Sequence, residues 1–381
     1  MPESLSPELI TLRDTVHNFI NTDLRPLEEQ IGEDVDKVPS EIQQQVRERS
    51  RELGLFGMTQ PEELGGSPAG PLTLTVVREA LATANLRVCG FVMGPSPGVI
   101  QHAEGELREK YLPAVMRGEK RGAFAFTEPR DAERPTFAIR DGDDLLVTGR
   151  KSYVTGGADA DFYAVLVNVQ ANGDEPKGTA MVVIDRKTPG IEFEREFRSM
   201  EGGNHVSVAF KETRVPQAHI IGKIGEGMPR ALNNIGHVRL YVSTQAVGWM
   251  QWTLGYVEQH LLAPHRTGTP LGEREGVRMR YSDMRIEAYA ARSMLYRTAR
   301  LAETNENVVN EVMATKIYTT ECAGRVIDGA VQLVGGQALV EGHPLEKLYR
   351  QVRSMRLIEG ASDLLRLNLA RGRLEYEAGR I

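Results

Sequence analysis

The stretch MRLIEGASDLLRLNLAR, residues 355–371, places a single carboxylate, Glu359, among apolar residues and directly before a glycine. Two readings of it stand. An acid at this place can simply open a helix, because the helix dipole stabilises negative charge in a first turn. Alternatively, Leu357 and Ile358 keep water away, which destabilises the carboxylate, raises its pKa and makes it a stronger base. Gly360 would then permit close approach to the backbone. His237 is the nearest rival base, although a lone histidine is more often a packed or surface residue. The pair Gly335-Gly336 in QLVGG reads on its own only as a helix stop. Cys89 and Cys322 make neither a disulfide framework nor a metal-ligand spacing and read as small buried residues.

These groups must be held by larger elements, and the chain changes pattern twice. Residues 1 to about 120 read as helical. Leu12, Val16, Phe19 and Ile20 mark one helix face; PSEIQQQVRERSRELG has an N-cap candidate in Ser40 and a stop in Gly54. From about 121 to 226, short β-branched and aromatic runs such as DFYAVLVNV and TAMVVID, bounded by Gly, Pro and Asp, predict an antiparallel β domain. From about 227 to 381 the helical period returns, with Met284, Ala288, Ala291 and Leu295 on one face, and long helices with short links predict an antiparallel bundle. The expected fold class is therefore α+β, mainly α: domain 1–120 helical, domain 121–226 β, domain 227–381 an antiparallel helical bundle.

The bulk numbers limit the function classes. The chain has 381 residues, 41% hydrophobic and 26% charged, with 46 Lys and Arg against 52 Asp and Glu, a net charge of −6. Nucleic-acid binding wants a basic face, so it is not expected. The acidic N-terminus MPESLSPELI has no apolar core segment, and no apolar run reaches the length of a membrane span. A cytoplasmic protein without a metal site is the expectation.

Ordered blocks along the chain, namely ELREKYLPAVMRGEKRGAFAFTEP (106–129), GRKSYVTGGADAD (149–161), TPGIEFEREFRSMEGGNHVSVAFKETRVP (188–216) and VQLVGGQALVEGHPLEKLYRQVRSMRLIEG (331–360), resemble the acyl-CoA dehydrogenases. The resemblance runs over essentially the whole chain, and it includes the helical, β and helical order, for which it implies an N-terminal helical domain, a middle antiparallel β domain and a C-terminal four-helix bundle. It implies FAD as cofactor, an acyl-CoA or related thioester as substrate, and electron-transfer flavoprotein as electron acceptor. It also implies a homo-oligomer, a dimer of dimers, or a hetero-oligomer, and a place in lipid metabolism. Glu359 matches the family's catalytic base, which removes the proton next to the thioester carbonyl while the next carbon loses a hydride to flavin N5. The other position at which the family can carry its base is Val238 here, directly before Arg239. Valine cannot accept a proton, which favours Glu359; Arg239 and Gly360 are assigned to substrate binding. Phe126 and Thr127 of FAFTEP, with Tyr153 and Thr155 of KSYVTG, are implied to meet the flavin ring, Tyr153 standing where the family usually has tryptophan. Gln332, Gly335 and Gly336 of QLVGG are implied to approach the adenosine diphosphate. Arg266 lies two residues beyond the place of the family's phosphate-binding arginine, which is Pro264 here.

The match departs most after TEP. There RDAERP replaces a longer glycine-rich loop, and Glu133 stands where a serine is usual. A carboxylate near a diphosphate is repelled unless Arg130 or Arg134 offsets it. Three further readings share the fold: an acyl-CoA oxidase, a dehydrogenase of carrier-protein thioesters, and a flavin-poor, non-catalytic subunit partner.

Overall fold

A computed structural model describes residues 5–32, 37–171, 177–304, 306–377 and 381. The helices are α1 Pro7–Phe19, α2 Arg25–Glu29, α3 Ser40–Glu52, α4 Pro71–Ala84, α5 Gly105–Met116, α6 Gly227–Leu262, α7 Glu275–Leu301, α8 Val309–Val334, α9 Pro344–Met355 and α10 Ser362–Tyr376. Between α5 and α6 lie the strands β1 Gly122–Ala125, β2 Phe137–Asp141, β3 Asp144–Thr155, β4 Phe162–Val169, β5 Gly178–Asp185, β6 Ile191–Arg198, β7 Asn204–Pro216 and β8 Ile220–Ile221. The N-terminal helical, middle β and C-terminal helical order is thus present. By packing, the chain forms two compact units, one of Met1–Met58, Ala69–Met93 and Gly236–Ile381, the other of Thr59–Pro68 and Gly94–Ile235.

The second unit is built on one sheet of order β6-β7-β3-β2-β4-β5-β8, with β1 beside β4. Most pairings are antiparallel; β4 also runs parallel to β1 and β2. Period-2 patterning reports burial and not strand direction, so these two parallel pairs had no sequence signal. Strand β4 is buried on both faces, which explains its unbroken apolar run. Phe162, Ala164 and Leu166 pack with Leu107, Tyr111 and Leu112 of α5, while Tyr163, Val165 and Val167 join the opposite core with Val182 and Val208.

In the first unit, Val16 and Phe19 of α1, and Ile20 just after it, are buried with Val46 of α3 and Val77 of α4. Helix α3 opens at Ser40, but its N-cap is Pro39 and no side chain caps it, so Ser40 is the first helical residue and not the expected cap. Gly54 follows the helix at φ +71, as a left-handed stop requires. Met284, Ala288, Ala291 and Leu295 of α7 lie in one core with Met250 of α6, Ile327 of α8 and Leu348 of α9. Among the described residues no helix is long and apolar enough to cross a membrane, and no cluster of His, Cys, Asp or Glu could hold a metal. Cys322 is buried and Cys89 half-buried; burial pushes the thiols up, to about 11 and about 12, which leaves them protonated and unreactive.

Candidate active site

Glu359 sits in the turn between α9 and α10, three residues before α10 begins. It therefore does not open that helix; Asp363 is the acid of the first turn. The turn is closed by Leu357 and Ile358 N–H donating to Ser354 O, at 2.8 and 3.1 Å, and by Ser362 N–H donating to Arg356 O at 2.9 Å. Its tip carries two successive left-handed residues, Glu359 at φ +54 and Gly360 at φ +98. The first is strained for a residue with a side chain, and such strain persists only where neighbours enforce it. A Cβ on Gly360 would meet Leu365 Cδ2 at 3.0 Å and Arg239 Nη2 at 3.3 Å.

Two cations enforce the turn. Arg239, buried on α6, donates from Nε to Glu359 O at 2.9 Å. Lys316, fully buried on α8, donates from Nζ to Gly360 O at 2.8 Å. Both cations are spent on backbone carbonyls. Among the described residues the Glu359 carboxylate accepts no hydrogen bond, and the Glu359 N–H has no acceptor. Burial raises the Glu359 pKa; the opposing charges of Arg239 and Lys316 only reduce the shift. Burial likewise lowers Lys316, to about 8, with Arg239 pushing the same way. The result is a basic carboxylate, free to take a proton, beside a free N–H able to bind a developing oxyanion.

Sequence reasoning missed Lys316. Its signal was present: it follows Val312 and Met313 at helical spacing, on the buried face of α8. Arg239, assigned from the sequence to the substrate, is here a buried donor to the turn. Leu357 and Ile358 are exposed, and so is His237.

The other implied residues fall into two groups. In the second unit, Ser152 N–H donates to Thr127 O at 2.8 Å, which ties the segment after β1 to β3. Phe126 stacks on Phe124, 5.8 Å between ring centroids. The register of β3 against β7 slips between Lys151 and Val154, and Tyr153 lies in that irregularity at φ +55. A bulge re-aims a side chain. The Tyr153 ring is 65% exposed, braced edge-on by Phe197 at 5.3 Å, and Thr127 and Thr155 are exposed as well. In the first unit, Gln332 and Gly335 close α8, Gly335 at φ +82, and a Cβ on Gly335 or Gly336 would meet nothing. Arg266 lies in the exposed link between α6 and α7 and forms no hydrogen bond or ion pair among the described residues. In the RDAERP segment, Asp131 pairs with Arg150 at 3.1 Å and Arg134 lies over the Phe137 ring at 3.2 Å, so Arg134 is already engaged.

Three models of the acyl-CoA dehydrogenases match the chain: the N-terminal domain over residues 6–119, the middle domain over 123–213 and the C-terminal domain over 225–374. The chain is 28% identical over 336 residues to the mitochondrial isobutyryl-CoA dehydrogenase of Dictyostelium discoideum, covering 86% of this chain and 80% of that protein. It is 26% identical over 379 residues to an acyl-CoA dehydrogenase of Bacillus subtilis (strain 168), covering 96% and 98%. The structure of a putative acyl-CoA dehydrogenase from Mycobacterium abscessus superposes with a TM-score of 0.84 at 24% identity, over 99% of this chain and 100% of that one, a likeness of fold. With all three models in order along one chain, this protein belongs to the acyl-CoA dehydrogenase family and is an oxidoreductase of that family.

Proposed function

We propose that the protein is an FAD-dependent dehydrogenase that introduces an α,β double bond into an acyl-CoA thioester. The observation that carries this is the free, half-buried Glu359 carboxylate, with its pKa raised and its two neighbouring cations engaged elsewhere. An α-proton beside a thioester is too weakly acidic for an ordinary exposed carboxylate, so a base lifted by desolvation is required. Glu359 takes that proton, and its own free N–H meets the thioester oxygen as charge develops there. Arg239 and Gly360 act at this point through the turn, Arg239 by holding its carbonyl and Gly360 by keeping the backbone bare.

The residues present fit FAD. An exposed aromatic ring on a bulge, beside two exposed threonines, suits a flat heteroaromatic system with a polar edge, and Phe126, Thr127, Tyr153 and Thr155 would hold it. Gln332, Gly335 and Gly336, with the unpaired Arg266, would hold the diphosphate, the arginine through charge-assisted bonds. Bound FAD supplies the acceptor for the hydride that leaves the β carbon. Electron-transfer flavoprotein then carries the electrons away, and the subunits associate into a dimer of dimers.

Anaerobic titration of the yellow holoprotein with a panel of acyl-CoA and carrier-protein thioesters tests this reading. The flavin absorbance should bleach with at least one thioester, and Glu359→Gln should stay yellow while bleaching at least 10³-fold more slowly. Equal rates in the variant remove Glu359 as the base. A colourless protein that cannot be loaded with FAD removes the reading altogether.

A further inference from the structure

His205 is a buried histidine that the reaction above does not use. It lies second in β7, directly across the ladder from Thr155 of β3 on one side and Phe197 of β6 on the other. Its two ring nitrogens are both engaged: Nε2 lies 3.0 Å from Ser199 Oγ, and Nδ1 lies 3.2 Å from Thr155 Oγ1. Ser199 Oγ is also 2.5 Å from Glu201 Oε1 and 3.1 Å from Gly203 O.

With the ring neutral, the direction of each bond follows from counting protons; Glu201 Oε1, 3.7 Å from Nε2, lies beyond hydrogen-bond distance. Ser199 has one hydroxyl hydrogen. A carboxylate oxygen and a backbone carbonyl only accept, so that hydrogen goes to Glu201 or Gly203. Toward His205, Ser199 can then only accept, and Nε2 must carry the ring hydrogen. A neutral imidazole with hydrogen on Nε2 has a bare Nδ1. Thr155 therefore donates its O–H inward, to His205, and keeps only lone pairs for anything that arrives from solvent.

We propose that His205 is a positioning residue that turns the Thr155 hydroxyl inward, so that the chain offers an acceptor, not a donor, to the polar edge of the ring bound there. This rests on the reading of Thr155 as a flavin contact. The edge nitrogen of an oxidised flavin accepts hydrogen bonds, whereas in the reduced ring the same nitrogen carries hydrogen and donates. An acceptor at Thr155 thus favours the reduced form, by roughly the factor of ten that one hydrogen bond is worth.

Two measurements test it. In apoprotein labelled with ¹⁵N-histidine, the His205 resonances, assigned by their loss in His205→Asn, should show hydrogen on Nε2; hydrogen on Nδ1 overturns the proposal. In holoprotein, His205→Ala frees the Thr155 O–H, and the two-electron midpoint should fall by about tenfold in the equilibrium constant, ~30 mV. His205→Asn keeps an oxygen near the place of Nδ1 and should hold the wild-type potential. An unchanged or higher potential in His205→Ala also overturns the proposal. If FAD does not bind, the function proposed above fails, while the apoprotein spectrum still decides which way the hydroxyl points.

Discussion

The turn at Glu359 depends on a lysine that is costly to bury. Lys316 is fully buried, and burial takes its pKa from 10.5 to about 8, with Arg239 lowering it further and Glu359 and Glu321 opposing. Between these two values the unfolded chain binds the extra proton and the folded chain does not, so stability rises with pH across that window. The gap corresponds to ~3 kcal/mol at most. Urea midpoints at pH 7.5 and pH 10 should therefore converge or cross between wild type and Lys316→Met, with wild type gaining on the variant at the higher pH. A difference that stays constant with pH would show that Lys316 titrates normally. At this same scale the sequence was legible only in part. Glu359 could be picked out because a carboxylate beside Leu357, Ile358 and Gly360 is locally odd. What the sequence did not show is that Lys316 and Arg239 both hold this turn, because they reach it from 44 and 120 residues away. The Thr155 and His205 pair, 50 residues apart, was hidden for the same reason.

Elements were legible where one face alone decides burial. The 3.6-residue period of α7 reports directly which side meets a core, and Met284, Ala288, Ala291 and Leu295 are all buried; the unbroken apolar runs of β4 and β5 report burial on both faces instead. Polar groups inside a helix interface leave no such trace. Glu79 of α4 is buried and accepts from Arg292 Nη2 at 3.0 Å, from Arg292 Nε and from the Tyr296 hydroxyl, both on α7. Beside them Leu72 and Val76 of α4 pack against Tyr296 and Ala299 of α7. In the sequence, Glu79 and Arg292 look like solvated charges. Removing one partner from a buried pair leaves the other unpaired in low dielectric, at a cost of about 3–5 kcal/mol. Arg292→Met should lose about that much stability in urea unfolding, and the double variant Glu79→Gln, Arg292→Met should recover most of it. Failure of the double variant to recover would assign the loss to packing and not to charge.

At the scale of the whole molecule, the two groups of implied cofactor residues sit in different compact units: Tyr153 and Thr155 in the sheet unit, Gln332, Gly335 and Gly336 in the helical one. We propose that in the dimer of dimers the QLVGG turn serves the cofactor of a neighbouring subunit. Just beyond it Leu339 and Val340 are 70% and 61% exposed, and along α10 Leu367 and Leu374 are 66% and 82% exposed, large apolar side chains that association would take out of water. Cofactor affinity and subunit association are then one linked equilibrium, because a ligand that needs two subunits stabilises their contact by mass action. Serial dilution of the holoprotein should release flavin, read as a rise in free-flavin fluorescence, over the same concentration range in which light scattering reports dissociation. Leu367→Glu combined with Leu374→Glu should move both transitions to higher protein concentration together. A protein that stays yellow as a monomer would place the whole cofactor site within one chain, and the arrangement of QLVGG across a subunit boundary would fall.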